Sequence, residues 1–149
     1  MDLSGSGLLL VGPGRAGSAL ARSWTAAGGI LLAVVGRTRA RAEEAGRRLG
    51  AKEAVAIEEV SGLRGDVLAL AVPDDRIPEV AEALASRVSA PFAYHLSGAL
   101  AAQELAPLRG ACGAIGSLHP LQVFTGAASE TWRGVLVAVE GDAAAVARG

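Results

Sequence analysis

The 149-residue sequence is poor in cysteine, in aromatic residues and in net charge. Cys112 is the only cysteine, which excludes an intramolecular disulfide and a zinc site built from four cysteines. Aromatic residues make up 3% of the chain, and 14 basic against 15 acidic side chains leave a formal net charge of −1. A chain without a basic excess is not suited to binding nucleic acid or an anionic membrane over a broad surface. Any phosphate site must therefore be local.

The sequence also lacks the marks of export and of membrane insertion. Residues 1–7 contain no basic segment followed by a long apolar stretch, and no apolar run reaches the roughly 18 residues that a membrane span requires. We therefore expect a soluble, cytoplasmic protein. Its length predicts one domain, and a hydrophobic share of 51% is ample for a sizeable core.

Glycine, by contrast, is abundant, and the 20 glycines fall between short apolar runs. Continuous apolar runs predict strands that are buried on both faces, the pattern of parallel sheets. We predict strands at 8–11, 30–35, 54–57, 67–72, 92–96, 112–117 and 135–139. Helical spacing and stop residues predict helices at 16–27, 38–49, 77–88 and 99–105, with a last one capped by Asp142. This alternation indicates an α/β fold, a doubly wound and mostly parallel sheet with helices on both faces.

A glycine motif of the form G-x-G-x-x-G lies between the first predicted strand and the first predicted helix. Its first glycine permits the tight turn, the second lets the backbone approach a pyrophosphate, and the third lets helix and strand pack closely. Backbone amides at the positive end of the helix can bind the phosphates. The predicted phosphate-binding residues are Gly12, Pro13, Gly14, Arg15, Ala16 and Gly17.

The end of the second predicted strand decides which dinucleotide fits. An NAD site places Asp or Glu there to hold the ribose hydroxyls, whereas this sequence has Gly36, Arg37, Thr38 and Arg39. Gly36 supplies no anion to repel a 2′-phosphate, Arg37 can bind one with paired donors, and Thr38 adds a hydroxyl. Arg37 and Arg39 at a helix N-terminus oppose the helix dipole, which favours a bound anion over a merely solvated helix end. The sequence therefore predicts NADP(H) rather than NAD(H).

The fourth predicted strand ends at the same edge of the sheet, where doubly wound folds bind ligands. We expect Val72 and Pro73 to form the wall beside the ribose and nicotinamide of the dinucleotide. Asp74 and Asp75 precede a predicted helix, so helix capping is their simpler interpretation.

Candidate catalytic residues follow the next two predicted strands. An imidazole can exchange a proton with a carbonyl or an alcohol, and a serine hydroxyl can orient the reacting oxygen. His119 with Ser97 is the preferred pair, although His119 could instead simply cap the turn before Pro120. His95 lies inside a predicted strand, so a core position is the better interpretation for it.

Two other chemistries fit poorly. Neither Ser97 nor Ser117 lies in the G-x-S-x-G motif of many serine hydrolases. The spacing of the two histidines and Cys112 matches no standard zinc pattern, so we expect no metal.

Four segments together resemble a known family: LVGPGRAG at 10–17, LAVPDD at 70–75, HLSG at 95–98 and SLHPLQVF at 117–124. The chain is similar to Rossmann-like NADP-binding oxidoreductases of the deazaflavin-dependent type. That type belongs to a broader group with 6-phosphogluconate dehydrogenase, pyrroline-carboxylate reductase and prephenate dehydrogenase. The resemblance covers nearly the whole chain, and its most specific part is the S-x-H-P-L-x-x-F stretch.

The resemblance implies NADP binding at residues 12–17 and at Arg37 and Thr38, and it gives His119 the place of the His-Pro histidine of prephenate dehydrogenase-like enzymes. Relatives usually carry a C-terminal helical domain that completes the substrate pocket and often forms a dimer. The 149 residues contain no segment that resembles it. We therefore expect one dinucleotide-binding domain over residues 1–149. The resemblance also implies that the chain could form a homodimer, as relatives often do.

The leading hypothesis is an NADP(H)-binding oxidoreductase domain that transfers hydride between nicotinamide and a small carbonyl, imine or alcohol substrate. In it His119 donates or accepts the proton, and Ser97 positions the reacting oxygen. The alternative is a non-catalytic NADP-binding or sensor module that acts through a partner or a dimer. S-adenosylmethionine would also suit the glycine turn, but it leaves Arg37 without a role.

Overall fold

The computed structural model describes residues 3–149 of the chain. The strands in this part are β1 (Gly7–Val11), β2 (Ile30–Gly36), β3 (Glu53–Ala56), β4 (Leu63–Arg64), β5 (Val67–Leu70), β6 (Val88–His95), β7 (Cys112–Pro120) and β8 (Val137–Gly141). The α-helices are α1 (Arg15–Ala26), α2 (Arg39–Leu49), α3 (Ile77–Leu84) and α4 (Ala143–Arg148). Three 3-10 segments lie at Ile57–Glu59, Asp74–Arg76 and Ala102–Gly110. None of the helices in residues 3–149 is both long and apolar enough to span a membrane.

The strands form one sheet in the order β3-β2-β1-β5-β6-β7-β8, with the short β4 beside the start of β6. Every pair is parallel except the last, in which β8 runs antiparallel to β7. The prediction of a doubly wound, mostly parallel α/β sheet is confirmed. The chain moves outward from β1 to β3 on one side and returns to β5 on the other side. The order therefore reverses at β1, and a crevice opens at the carboxyl end of the strands there.

Two hydrophobic cores lie on opposite faces of the sheet. In β1, Leu9 and Val11 belong to one core, and Leu8 and Leu10 belong to the other. Successive side chains of a strand point to opposite faces, so a strand covered by helices on both sides must be apolar at every position. This requirement accounts for the unbroken apolar runs in the sequence.

Helix α2 ends where its sequence predicts, and it begins at Arg39, one residue after the predicted start. Thr38 is the N-cap, and its hydroxyl oxygen accepts a hydrogen bond from the Arg41 amide over 3.4 Å. Gly50 ends the helix in the left-handed region, at φ 73°. Such a φ is costly for residues with a Cβ, so glycine is the usual residue at this position.

Several element bounds differ from the prediction. Helix α3 ends at Leu84 instead of residue 88, because Val88 already pairs with Leu63 as the first residue of β6. The helix expected at 99–105 is instead a 3-10 segment at Ala102–Gly110. The hydroxyl of Ser97 explains this shift, since it accepts hydrogen bonds from the amides of residues 99 and 100 and holds them in a turn.

Asp142 occupies the N-cap position of α4, as predicted, but its carboxylate does not cap the helix. It accepts two hydrogen bonds from Arg109, at 2.9 and 3.0 Å, and one from the Ile115 amide at 2.9 Å. These contacts, the Arg109 hydrogen bond above all, hold the pKa of Asp142 below its ordinary value. The carboxylate therefore joins α4 to β7 and to the preceding 3-10 segment.

Candidate functional site

A cavity of about 560 Å³ opens at the carboxyl edge of the sheet. The ends of three adjacent strands form its floor. The floor residues are Val11 at the end of β1 and the following Gly12, Val35 and Gly36 of β2, and Ala71 and Val72 after β5. The cavity therefore lies at the position where the strand order reverses.

The glycine motif forms the turn on one side of this cavity. Gly12 has φ 85°, and a Cβ there would lie 2.5 Å from the Ala71 carbonyl oxygen. A Cβ at Gly17 would lie 2.5 Å from the Gly12 carbonyl oxygen, so this position must be glycine for α1 to pack on the sheet. A Cβ at Gly14, the N-cap of α1, would meet no atom within 4 Å. The first and third glycines thus serve packing, and the second leaves the backbone open to a ligand.

Not every residue of the motif faces the cavity. Gly12, Pro13 and Gly14 line it, whereas Arg15, Ala16 and Gly17 are not part of its wall. The Ala16 carbonyl accepts a hydrogen bond from the Trp132 indole over 3.3 Å. The start of α1 is therefore also tied to the segment between β7 and β8.

The end of β2 presents a cation and no anion to the cavity. Gly36 is buried against α2, and a Cβ there would lie 3.0 Å from the Ala42 amide nitrogen. An Asp or Glu at this position, which holds the ribose hydroxyls in NAD sites, would therefore require α2 to shift by a few tenths of an ångström. Arg37 is exposed and lines the cavity.

The other two predicted residues of this turn are not part of the cavity wall. Thr38 caps α2 through its hydroxyl. Arg39 is held by Glu59, with both guanidinium contacts at 3.0 Å, and its distance to Glu43 is 3.6 Å. The Ala56 amide, followed by Arg39, keeps the pKa of Glu59 below its ordinary value. The structure thus directs Arg39 to a carboxylate and away from the cavity.

Three further arginines line the cavity, and the motif-based reasoning missed them. They are Arg41 and Arg48 of α2 and Arg76 before α3. With Arg37 they supply four positive charges, and Glu44 supplies one negative charge (4 − 1 = +3). Residues 41, 44, 45 and 48 have the i, i+3, i+4, i+7 spacing of one helix face. That spacing is the sequence signal that identifies Arg41 and Arg48, and it does not extend to Arg76.

The turn after β5 forms the opposite wall. Val72 and Pro73 line the cavity, where the sequence predicts them. The capping prediction for Asp74 and Asp75 is wrong, because the two residues form a 3-10 turn and α3 begins without a side-chain cap. Arg76 reaches the cavity wall while it pairs with Glu79 at 2.9 Å.

The candidate catalytic residues lie along the same edge of the sheet, but they are not among the residues that line the cavity. They follow β6 and belong to β7, and His95 pairs with Ser117 in the register of these two strands. His95 is fully buried, as expected for a core residue. Its Nδ1 accepts a hydrogen bond from the Ser97 amide at 3.2 Å, and its Nε2 lies 3.0 Å from the Ala101 carbonyl oxygen.

Ser97 is buried, and its hydroxyl has a structural task. The hydroxyl oxygen accepts hydrogen bonds from the amides of Ala99 and Leu100 at 3.1 and 3.2 Å. The Ser97 carbonyl oxygen accepts one from the Ser117 hydroxyl at 3.0 Å, which joins the ends of β6 and β7. The hydroxyl hydrogen of Ser97 remains available for donation.

His119 is half-buried, and its ring lies against Gly98. Within residues 3–149, its Nδ1 is the buried side-chain polar atom that has no hydrogen-bond partner. Buried polar atoms are nearly always paired, so an unpaired one requires an explanation, and a catalytic role is one of those known. Of the two catalytic candidates, His119 and Ser97, His119 therefore remains the stronger.

The strand order and the glycine turn at the reversal point define a dinucleotide-binding type of α/β domain. Residues 6–120 match the family of Rossmann-like domains, and the chain belongs to this family. No curated protein matches the sequence significantly.

Solved structures share this fold at low sequence identity. A protein from Bacteroides fragilis assigned as an NADP oxidoreductase has a TM-score of 0.80 and 17% identity, over 98% of this chain and 56% of its own. A 1-pyrroline-5-carboxylate reductase from Streptococcus pyogenes has a TM-score of 0.64 and 16% identity, over 93% of this chain and 49% of its own. The prephenate dehydrogenase from A. aeolicus, in complex with hydroxyphenyl propionate and NAD+, has a TM-score of 0.58 and 21% identity, over 81% of this chain and 43% of its own. The chain spans about half the length of these proteins.

Proposed function

We propose that this chain binds NADP(H) in the cavity and is the cofactor domain of an oxidoreductase. The observation that carries the proposal is the end of β2, where Arg37 lines the cavity and Gly36, packed tightly against α2, has no carboxylate. A ribose 2′-phosphate carries close to two negative charges at neutral pH. It is attracted to this position, whereas an unmodified ribose finds no acidic partner there.

The glycine turn fits the pyrophosphate of such a dinucleotide. The open side of Gly14 lets phosphate oxygens approach the backbone at the N-terminus of α1, where unpaired amides and the helix dipole favour an anion. Helix α1 has 12 residues and no acidic residue in its first turn. Its own side chains therefore leave this positive end free for a phosphate.

The arginines of α2 and of the turn before α3 complete the positive charge of the site. Arg41 and Arg48 line the cavity on the α2 side, and neither has a carboxylate within ion-pair distance among residues 3–149. Arg76 is partly neutralised by Glu79. We therefore assign Arg37 and Arg41 to the 2′-phosphate, with Thr38 as the cap that orients this end of α2.

When bound, NADP(H) supplies hydride exchange at its nicotinamide. His119, at the end of β7, would bind the substrate atom that exchanges a proton, and Ser97 would hold the turn beside it while donating its hydroxyl hydrogen. The small carbonyl, imine or alcohol substrate would then lie over the edge of β6 and β7, next to the cavity. Val72 and Pro73 would separate the dinucleotide from the core below.

A second candidate is a dinucleotide-binding module that acts through a partner or as a homodimer. It is favoured by a group of exposed apolar side chains in and beside the segment between β7 and β8. Leu121, Val123 and Leu136 are 55%, 84% and 72% exposed. Exposed apolar groups of this kind mark interaction surfaces when they are contiguous.

Isothermal titration of the chain with NADP+ and NAD+ under the same buffer conditions tests the proposal. We expect NADP+ to bind at least tenfold more tightly than NAD+, because only NADP+ places a phosphate beside the arginines. Equal affinities would refute the assignment of Arg37 and Arg41 to the 2′-phosphate. If neither dinucleotide binds, the proposed cofactor is wrong. NADPH oxidation over a panel of carbonyl and imine compounds, with and without His119→Ala, separates the enzyme from the module.

A further inference from the structure

The His119 ring owes its position to a glycine on the neighbouring turn. A Cβ at Gly98 would lie 2.5 Å from both ring nitrogens of His119, and Cε1 of the ring is as near. Three ring atoms at nearly equal distance mean that the face of the imidazole lies on the Gly98 backbone. Any larger residue at position 98 would force the ring away.

This packing separates the two ring nitrogens. Nδ1 is buried and has no hydrogen-bond partner among residues 3–149, and it has too little accessible surface for a water molecule to reach it. The residue as a whole is half-buried, and Nε2, unlike Nδ1, is not a buried nitrogen without a partner. The two nitrogens therefore have different opportunities to hold a hydrogen.

A neutral imidazole carries one hydrogen, on either nitrogen. A buried N–H without an acceptor is among the rarest features of folded proteins, and an unpaired buried acceptor is less rare. The position of Nδ1 therefore favours the tautomer with the hydrogen on Nε2. His95 provides a comparison in the same molecule, because its Nδ1 accepts the Ser97 amide and its Nε2 can donate to the Ala101 carbonyl.

We propose that Gly98 is a positioning residue that fixes His119 as the Nε2–H tautomer, so that this ring donates a hydrogen bond to a carbonyl oxygen of the substrate. The inference rests on the proposed function and narrows its substrate class. In this form Nε2 donates a hydrogen bond to the carbonyl oxygen and cannot accept one from a hydroxyl, and Nδ1 is out of reach. The proton that the oxygen takes up after hydride transfer then comes from solvent. A neutral histidine used as a donor to a carbonyl is an established catalytic device.

The tautomer can be measured without any dinucleotide. The chain has two histidines, so labelling with 15N-histidine yields four ring nitrogens, and their shifts distinguish a nitrogen that carries hydrogen from a bare one. In the neutral rings we expect a bare Nδ1 and a protonated Nε2 for both residues. An Nδ1–H form of His119, or an average of the two forms, would overturn the proposal.

Gly98→Ala tests the positioning role. We expect the ring nitrogens of His119 to move to averaged shifts because the displaced ring becomes solvated, while those of His95 stay in place. Gly110→Ala is the matched control, since a Cβ there meets no atom within 4 Å and its φ is not positive. Unchanged His119 shifts in Gly98→Ala would refute the role of Gly98. If that variant does not fold, the wild-type spectrum still decides the tautomer.

This test and the test of the proposed function fail independently. Gly98 and His119 do not line the cavity, so NADP+ affinity should differ less than twofold between Gly98→Ala and the wild type. Loss of NADP+ binding in the wild type would end the proposed function and leave the tautomer result standing. An averaged His119 ring beside normal NADP+ binding would end only this inference.

Discussion

Replacing Arg37 with alanine should weaken NADP+ binding and leave NAD+ binding nearly unchanged. Arg37 lines the cavity at the end of β2, and no carboxylate among residues 3–149 is within ion-pair distance of it. Its guanidinium is therefore free to bind a phosphate with two parallel hydrogen bonds. NAD+ has no phosphate at this position, so the same substitution removes little from its binding.

The magnitude follows from the exposure of the site. Hydrogen bonds to charged groups contribute about 1.5–3 kcal/mol, and Arg37 is exposed, so the lower end of that range applies. Because 1.4 kcal/mol corresponds to a tenfold change, we expect the Kd for NADP+ to rise about 10- to 30-fold. The effect should shrink at high salt, since the Debye length falls from about 10 Å at 0.1 M to about 3 Å at 1 M.

Arg39→Ala is the matched control for this experiment. It removes an equal charge two residues away, but that guanidinium is held by Glu59 and is not part of the cavity wall. Titration calorimetry of both variants with both dinucleotides gives four affinity ratios. Equal losses of NADP+ affinity in Arg37→Ala and Arg39→Ala would show that only the net positive charge of the region matters. Equal losses of NADP+ and NAD+ affinity in Arg37→Ala would refute the phosphate contact.

Three other substitutions test the fold that supports the site. Gly36→Asp, which places the carboxylate typical of NAD sites, should lower stability by roughly 1–3 kcal/mol through overpacking against α2; a normal melting temperature with tighter NAD+ binding would contradict this. Tyr94→Phe removes the buried hydrogen bond from the hydroxyl to the Ala145 carbonyl, 2.9 Å long, and should cost about 1 kcal/mol in denaturant unfolding. The pKa of Asp142 lies below its ordinary value of 3.8, chiefly because of Arg109. The ionised carboxylate therefore contributes fully to folding stability above pH 3.8, and this contribution is lost as the pH falls through the lowered pKa. The melting temperature of Asp142→Asn should therefore approach that of the wild type in acid, and a constant difference at every pH would argue against the ion pair.

The local features of the sheet could be predicted from the sequence because each depends on neighbouring residues. The run before Gly12 is apolar at every position since β1 is covered on both faces, and this pattern identified the strand. Gly50 and Thr38 marked the ends of α2 for the same local reasons. The antiparallel β8 and the 3-10 segment before β7 depend on tertiary contacts, such as the Asp142 carboxylate on the Ile115 amide, and no local pattern encodes them.

The arginines of the cavity show where motif reasoning stops. Arg39 and Arg41 are two residues apart and have the same chemistry, so spacing from the glycine motif cannot separate them. Thr38 fixes the first turn of α2, and one residue of a helix corresponds to about 100° of rotation, so two residues place the side chains on nearly opposite faces. One arginine then meets Glu59 and the other faces the cavity. The choice between them depends on the position of the Glu59 carboxylate, which the Ala56 amide holds, and that position belongs to the end of β3 and not to the motif. The arginine that faces the cavity is therefore selected by helix phase and by an acidic residue 20 positions after Arg39 in the chain.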